Sequence, residues 1–334
     1  MIEHIHTDTC TCGSLQTNKV GKLTQDKIQK IDPTRTVTLR NAFVSQMDKR
    51  FNGIAYLVQH AIVDQDCFGL NPLKTNLGTL PGNRAFAFST SQEQLQGFME
   101  WLKEQVNKGI LTTSEYQQLG VGIRQEWTDL YIEDSYKRGV IRARYEMTKA
   151  GWQIPSIEAS GGIALVMANN PFHLDRVGLL ATRAYNELQG ITDAMSQQIG
   201  RILAQGIADG DGPRLLAKKL VTTITGRGET LAIRDTLGRF ISAKRRAEML
   251  ARTEIIRAHA EATLQEYKNW GVVGVNVQAE WATANDDRVC PQCASMEGKV
   301  YLLSDAQGLI PAHPGCRCCW LPAAPEYDLP SEKK

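Results

Sequence analysis

Two short motifs near the end of the chain bring cysteine and histidine residues together at the spacing of a metal site. Cys290 and Cys293 form a Cys-x-x-Cys pair, and after nineteen further residues His313 and Cys316 repeat that spacing as His-x-x-Cys. A gap of two residues lets both side chains of a pair point at one ion, and two pairs complete a tetrahedron. Sulfur and nitrogen ligands in this geometry are the preference of zinc. The spacing therefore predicts a Zn²⁺ site.

The fourth ligand of this site has two candidates. Cys318 follows Cys316 by two residues, and alternate residues of an extended segment share a face. We therefore expect four of five residues to bind the ion: Cys290, Cys293, His313, Cys316 and Cys318. The neighbouring Cys319 is one more thiol and leaves the ligand set open. Four protein ligands leave no position for water, which predicts a structural ion rather than a catalytic one.

Other interpretations of the metal-ligating residue types stay open. The C-terminal thiols are also typical of buried cysteines without a metal. A nucleophile built from His313 and one thiol is a weaker alternative, because no third orienting group is identifiable. A second candidate set lies near the start of the chain, where His4, His6, Cys10 and Cys12 would share one side of an extended segment. A flexible arm without a ligand is the competing interpretation of that set.

Composition places the chain among ordinary globular proteins. It has 334 residues, of which 42% are hydrophobic and 22% charged. These values favour about two domains and exclude collagen-like and wholly disordered classes. The longest apolar run, 161–168, is far shorter than the ~18 residues of a spanning helix, and the first residues do not resemble a secretory leader. We therefore expect a reducing cytosol, where clustered cysteines are metal ligands or free thiols rather than disulfides.

Positive charge is concentrated in one stretch although the net charge is only +2. Between Arg214 and Arg252 there are ten lysine and arginine residues and three acidic ones, a surplus of seven. Such a surplus is able to contact DNA phosphates. The run Lys244, Arg245 and Arg246 is the densest part and the candidate DNA contact. The competing interpretation is an ordinary set of solvated helix faces.

The elements that must position these residues are mostly helices. Apolar residues recur at three- and four-residue spacing in two long segments, which predicts one buried face on each helix. The predicted faces are Leu39, Phe43, Met47, Phe51, Ile54 and Leu57 in a helix over 36–64, and Trp127, Leu130, Ile132, Tyr136, Val140 and Ile141 in a helix over 122–150. In the second helix we expect Arg138, Arg142 and Arg144 to project away from the apolar face. Further helices are predicted at 92–107, 114–119, 173–208, 214–223 and 242–270, and strands at 85–88, 271–282 and 299–303.

The predicted fold is mostly α, with a small C-terminal α+β lobe that resembles a zinc knuckle. Proline and glycine residues break the periodicity at 151–172, where we place a linker. The predicted organisation is a polar N-terminal arm (1–33), a helical domain (34–150), the linker (151–172), a helical segment (173–245), the Cys/His lobe (246–322) and a polar tail (323–334).

The C-terminal motifs together resemble the phage Mu F-like head morphogenesis family. The segments that carry the resemblance are Ala251-Arg252-Thr253-Glu254 with the helix through Tyr267, Trp281 followed by Asp286-Asp287-Arg288-Val289-Cys290-Pro291-x-Cys293, Gly298-Lys299-Val300, and Pro311-Ala312-His313-Pro314-Gly315-Cys316-Arg317-Cys318. The close resemblance covers 246–322, and a looser one extends back to about 173. Cys319 is a departure from the family pattern.

The resemblance implies a minor head protein of a tailed double-stranded DNA phage. Such a protein is made in the host cytoplasm and resides in the virion or procapsid. Its implied partners are the portal protein and other capsid components, with phage DNA as a further candidate. Its implied roles are capsid assembly at or near the portal and DNA packaging or delivery. Metal binding by Cys290, Cys293, His313 and the 316–318 pair also agrees with the family pattern.

We expect no enzymatic activity, no small-molecule substrate and no membrane contact. Arg252 and Glu254 are two residues apart on a helix, so they do not share a face, and we interpret them as a buried polar pair or a cap between the helix and the lobe rather than as catalytic residues. Two alternatives remain: a zinc-stabilised nucleic-acid-binding protein outside any virion, and a nuclease or transferase. Against an enzyme, the sequence offers no recognisable paired acidic metal site and no glycine-rich phosphate loop.

Overall fold

The computed structural model describes residues 32–70, 91–112, 126–226 and 241–325. Helices make up most of these ranges, as the sequence predicts, and the small sheet lies near the C-terminus. The helices before the lobe are α1 (Val37–Gln59), α2 (Ser91–Val106), α3 (Trp127–Lys149), α4 (Ile163–Ala168), α5 (Pro171–Ala208), α6 (Pro213–Thr225) and α7 (Ala243–Val272). The lobe adds β1 (Gln278–Ala282), α8 (Pro291–Ala294), β2 (Val300–Tyr301), α9 (Leu303–Ala306) and β3 (Cys319–Ala323).

Helix α1 buries the apolar face that its sequence predicts. Leu39, Phe43, Met47, Phe51 and Ile54 are all buried. The last position differs, because Val58 is fully buried while Leu57 is only half-buried. The helix ends in a π-helical turn, His60–Asp64, and a second such turn, Asn107–Leu111, ends α2. The strand predicted at 85–88 and the helix predicted at 114–119 lie outside the described residues.

Helix α3 departs from its predicted face at one end. Ile141 is 41% exposed, whereas Arg142, which we expected to point away from the core, is buried. Arg142 forms an ion pair of 3.2 Å with the fully buried Glu146, so the interior accepts a charge at this position because a partner lies one turn further. The prediction for Arg142 was wrong because the periodicity of apolar residues does not reveal a buried ion pair.

Glycine lets α3 approach α7 closely. A Cβ atom at Gly139 would lie 2.5 Å from the carbonyl oxygen of His259 and 2.6 Å from the Cβ of Ala262. Both distances are shorter than van der Waals contact, so a side chain at this position would push the two helices apart. The close approach fixes α7, which leads directly into the C-terminal lobe.

The described residues divide into two compact units, each formed by separate stretches of chain. One unit draws on residues up to Ala42, on Thr128–Ala184 and on the chain from Arg252 onward; the other draws on Phe43–Trp127 and Tyr185–Ala251. The segment predicted as a linker contains α4 and buries Ile154, Val166 and Met167. The domain boundaries predicted from the sequence stay predictions.

The C-terminal sheet is antiparallel, with strand order β2-β1-β3. Trp281 of β1 lies opposite Trp320 of β3, and their rings meet edge to face with centroids 5.3 Å apart. The sequence placed the first strand too early, because α7 continues to Val272 and β1 begins only at Gln278. It also missed β3, an edge strand that contains Pro322, a residue that edge strands tolerate. The prediction of a mostly helical chain with a small α+β lobe is confirmed.

Candidate metal centre

The first half of the Cys/His site is built on the short helix α8. Cys290 precedes the helix as its N-cap, and Pro291 occupies the first helical position. The backbone N–H of Cys293 donates to the Sγ of Cys290 at 3.3 Å. This turn holds the two sulfur atoms on the same side of the backbone.

His313 supplies the second half and points at both of these sulfurs. Its Nε2 lies 3.3 Å from the Sγ of Cys290 and 3.2 Å from the Sγ of Cys293. Its Nδ1 lies 3.0 Å from the carbonyl oxygen of Pro314. Because a carbonyl oxygen only accepts, we infer that Nδ1 carries the proton and that the Nε2 lone pair faces the thiols. Metal-bound histidines are commonly oriented by such a second hydrogen bond.

All five predicted ligands come together around Cys293. Cys290, Cys293 and His313 form one group whose ligand atoms lie within 4.8 Å of one another, and Cys293, Cys316 and Cys318 form a second. Cys293 belongs to both groups, so five donor atoms surround one small region. Cys319 does not join either group among the described residues. It lies in β3 and packs with Ala282 and Leu321 in a separate apolar cluster.

The pKa values of the candidate ligands are shifted in opposite directions. Burial raises the pKa of Cys293 to about 12, whereas the hydrogen bond from Cys318 lowers the pKa of Cys316 to about 5. The backbone N–H of Cys293 lowers the pKa of Cys290. Burial tends to lower the pKa of His313, but its hydrogen bond to Pro314 and the nearby Cys316 and Cys290 raise it overall. A divalent cation would relieve the crowding of thiolates, since a coordinated thiol is deprotonated.

An ion pair that the sequence analysis missed ties the two halves of the site together. The guanidinium of Arg317 donates to the carboxylate of Asp286 through two bonds of 2.7 and 2.6 Å, and Arg288 adds a bond of 3.0 Å. The hydrogen bond from Arg317 holds the pKa of Asp286 well below its usual range. Asp286 precedes the first cysteine pair, and Arg317 stands between Cys316 and Cys318. The available signal was an arginine placed between two candidate ligands.

The residues of the predicted DNA contact, Lys244, Arg245 and Arg246, are paired with acidic residues or partly buried. Lys244 lies 2.8 Å from a carboxylate oxygen of Asp48, and Arg245 lies 3.0 Å from Glu248. Partial burial lowers the pKa of Arg246. Consecutive helical residues also point in different directions, so the three side chains do not form one face. DNA contact by this run stays a prediction.

Two further predictions from the sequence concern Arg252 with Glu254 and the candidate metal set near the start of the chain. Arg252 and Glu254 do not form a pair: Arg252 is exposed, and the buried Glu254 is bound by Arg257 at 3.2 Å and Arg183 at 3.5 Å. The prediction of a buried pair was therefore wrong for Arg252, whereas Glu254 is buried and bonded as a structural role requires. The second candidate metal set, His4, His6, Cys10 and Cys12, lies outside the described residues.

The donor set of the C-terminal cluster fits a soft divalent metal. The cluster consists of four sulfur atoms and one imidazole nitrogen, and no carboxylate belongs to either group of donors. Thiolate and imidazole ligands select zinc over magnesium or calcium, which prefer oxygen. The cluster is therefore able to hold one metal ion.

A comparison with known protein families finds a match in this region of the chain. Residues 197–321 match the model of the family described as Phage Mu protein F like protein. No curated protein and no solved structure gives a significant match. In the described residues no helix is long and apolar enough to cross a membrane. The matched range contains all five candidate ligands together with Asp286 and Arg317, and it confirms the predicted resemblance: residues 197–321 are similar to the phage Mu protein F-like family.

Proposed function

We propose that this chain is a minor head protein of a tailed double-stranded DNA phage and acts in head morphogenesis. The observation that carries the proposal is the family match over residues 197–321. The role is structural, in capsid assembly at or near the portal, with phage DNA packaging or delivery as a further part. The partners are the portal protein and other capsid components, and the protein resides in the virion or procapsid after synthesis in the host cytoplasm. We propose no catalytic activity.

In this proposal the Cys/His lobe is held by one Zn²⁺ ion with a structural role. Four of Cys290, Cys293, His313, Cys316 and Cys318 bind it, and a full set of protein ligands leaves no open position for water. When bound, the ion would cross-link the two pairs of ligands and neutralise the charge of the thiolates. The residues of the chain do the rest: α8 orients the first two thiols, the carbonyl of Pro314 fixes the imidazole, and Asp286 with Arg317 aligns the two halves.

Mass-spectrometric inventory of purified virions and procapsids tests the proposed role. We expect the chain at low copy number, and we expect loss of the gene to give misassembled or poorly infectious particles. Normal infectious particles that lack the chain would contradict a role in the head. The same inventory separates the proposal from its alternative, a zinc-stabilised nucleic-acid-binding protein outside any virion.

A further inference from the structure

In the unit formed by Phe43–Trp127 and Tyr185–Ala251, a groove carries two exposed cations, and an exposed tyrosine lies on the helix that forms one side of it. The groove has a volume of about 370 Å³. Its lining consists of Gln59, Val63, Arg214, Ala217, Lys218 and Val221. Gln59 and Val63 come from the end of α1 and the turn that follows it, and the other four come from one face of α6.

The two cations of this groove differ from the other basic residues around them. Within the described ranges neither Arg214 nor Lys218 has an ion-pair or hydrogen-bond partner, and both are exposed. Lys219, the next residue, is by contrast bound to Asp211. Arg214 and Lys218 are one helical turn apart, about 6 Å along the axis, and so they face the same side. None of the six lining residues is acidic.

An aromatic pair continues the α1 side of the groove. Tyr56 is 68% exposed, and its ring stacks on that of His60 with centroids 6.1 Å apart and planes inclined by 4°. Tyr56 lies three residues before Gln59 on α1, so both occupy one stripe of the helix surface. His60 is held in place by a 2.7 Å hydrogen bond to Asp64. A large ring kept at the surface in a fixed orientation is a stacking platform.

Free cations beside a stacking platform match the two parts of a nucleic-acid strand. Lysine and arginine neutralise phosphates, whereas exposed aromatic rings take up unpaired bases, which have two open faces. A duplex offers phosphates but hides its base faces, and an acidic protein surface offers no bases. We infer that this groove binds single-stranded nucleic acid, with Arg214 and Lys218 on consecutive phosphates and Tyr56 against a base. This inference rests on neither the metal site nor the proposed role in the head.

A binding titration on the whole protein tests the inference. The probes are a fluorescein-labelled oligothymidylate and a labelled duplex of the same length, each measured at several salt concentrations. We expect tighter binding of the single strand. The double variant R214Q/K218Q should reduce the salt dependence by about 1.4 units of slope, because each lost phosphate contact on a single strand removes about 0.7. A matched control is K103Q/K108Q, which removes the same charge from exposed positions of α2 and of the turn Asn107–Leu111 that follows it.

A third variant separates the aromatic contact from the charges. Tyr56→Ala should weaken binding of the single strand about ten-fold, as expected for one stacked base, without a change in salt slope. The inference is overturned if neither probe binds at low salt, if the duplex binds as tightly as the single strand, or if the control loses as much slope as R214Q/K218Q. It is also overturned if polyglutamate competes fully and Tyr56→Ala has no effect, which would indicate an acidic protein partner. Circular dichroism of each variant confirms that a loss of binding is not a loss of fold.

Discussion

Two histidines in the same unit have opposite surroundings. His173 lies in a network whose members satisfy one another: its Nε2 is 2.9 Å from a carboxylate oxygen of Glu266, and its Nδ1 is 3.1 Å from the hydroxyl of Tyr136. Glu266 also accepts from Arg144 at 2.6 Å and from the indole of Trp270 at 2.7 Å. The Nε2 of His313 instead faces two thiols, those of Cys290 and Cys293.

The difference separates a structural polar cluster from a candidate ligand site. In the first network Glu266 is paired with Arg144. The side chains of this network lie on α3, α5 and α7 and bond to one another without a ligand. A buried polar network of this kind stabilises a fold when all its members are bonded. The donors around Cys293 are four thiols and one imidazole, a set that a soft metal ion would bind. Each region therefore predicts a different response to mutation and to a chelator.

The largest effect is expected at Cys293, because it belongs to both groups of donors. Cys293→Ser should reduce bound zinc from about one per chain to near zero and should unfold the lobe, since metal binding free energy is folding free energy in so small a unit. Elemental analysis and thermal denaturation measure the two effects. Cys319→Ser is the matched control, as Cys319 is equally buried but packs in the separate cluster. Wild-type protein prepared without chelator and found to contain no metal would refute the site.

The second-largest effect is expected in the polar network around His173 and Glu266. Glu266→Ala removes the shared acceptor and leaves Arg144 and His173 without it, which should lower the free energy of unfolding by about 3–5 kcal/mol. Zinc content should not change. Urea denaturation together with elemental analysis tests both statements. A loss of zinc in this variant, without global unfolding, would show that the two regions are not independent.

The sequence was more informative about the metal cluster than about the network. Cysteine and histidine ligands must be close in the chain to form a knuckle, so their spacing is visible without a structure. The partners of His173 lie 37 and 93 residues away, and only the packing of helices brings them together. β3 was missed for the same reason, because it is held by its pairing with β1. Arg142 differs, because its partner Glu146 lies one turn further along the same helix and the i,i+4 spacing of the pair is visible in the sequence.

A third, smaller effect is expected at the ion pair that joins the halves of the metal cluster. Asp286→Asn should lower the free energy of unfolding by about 1.5–3 kcal/mol, the range for hydrogen bonds to a charged group. Because the pKa of Asp286 is held low, its contribution is present above the ordinary aspartate pKa of about 3.9 and is lost as the pH falls through the folded value. The difference between wild type and variant should therefore be constant near neutral pH and shrink in acid. Urea titrations at a series of pH values measure it; a difference that grows in acid would contradict the assignment.

The smallest effect is expected at Cys318, the second candidate for the fourth ligand beside Cys316. Cys316 repeats the two-residue spacing from His313, so Cys316→Ser should abolish tight zinc binding. In that case Cys318 is not a ligand but donates a hydrogen bond to the ligand Cys316. Cys318→Ser should then weaken zinc affinity by about ten-fold or somewhat more, the usual effect of removing a residue that hydrogen-bonds to a metal ligand. Competition with a chromophoric zinc chelator measures both affinities on the same scale. The reverse order, with Cys318→Ser the more damaging change, would assign the fourth position to Cys318 and leave Cys316 as its hydrogen-bonding partner.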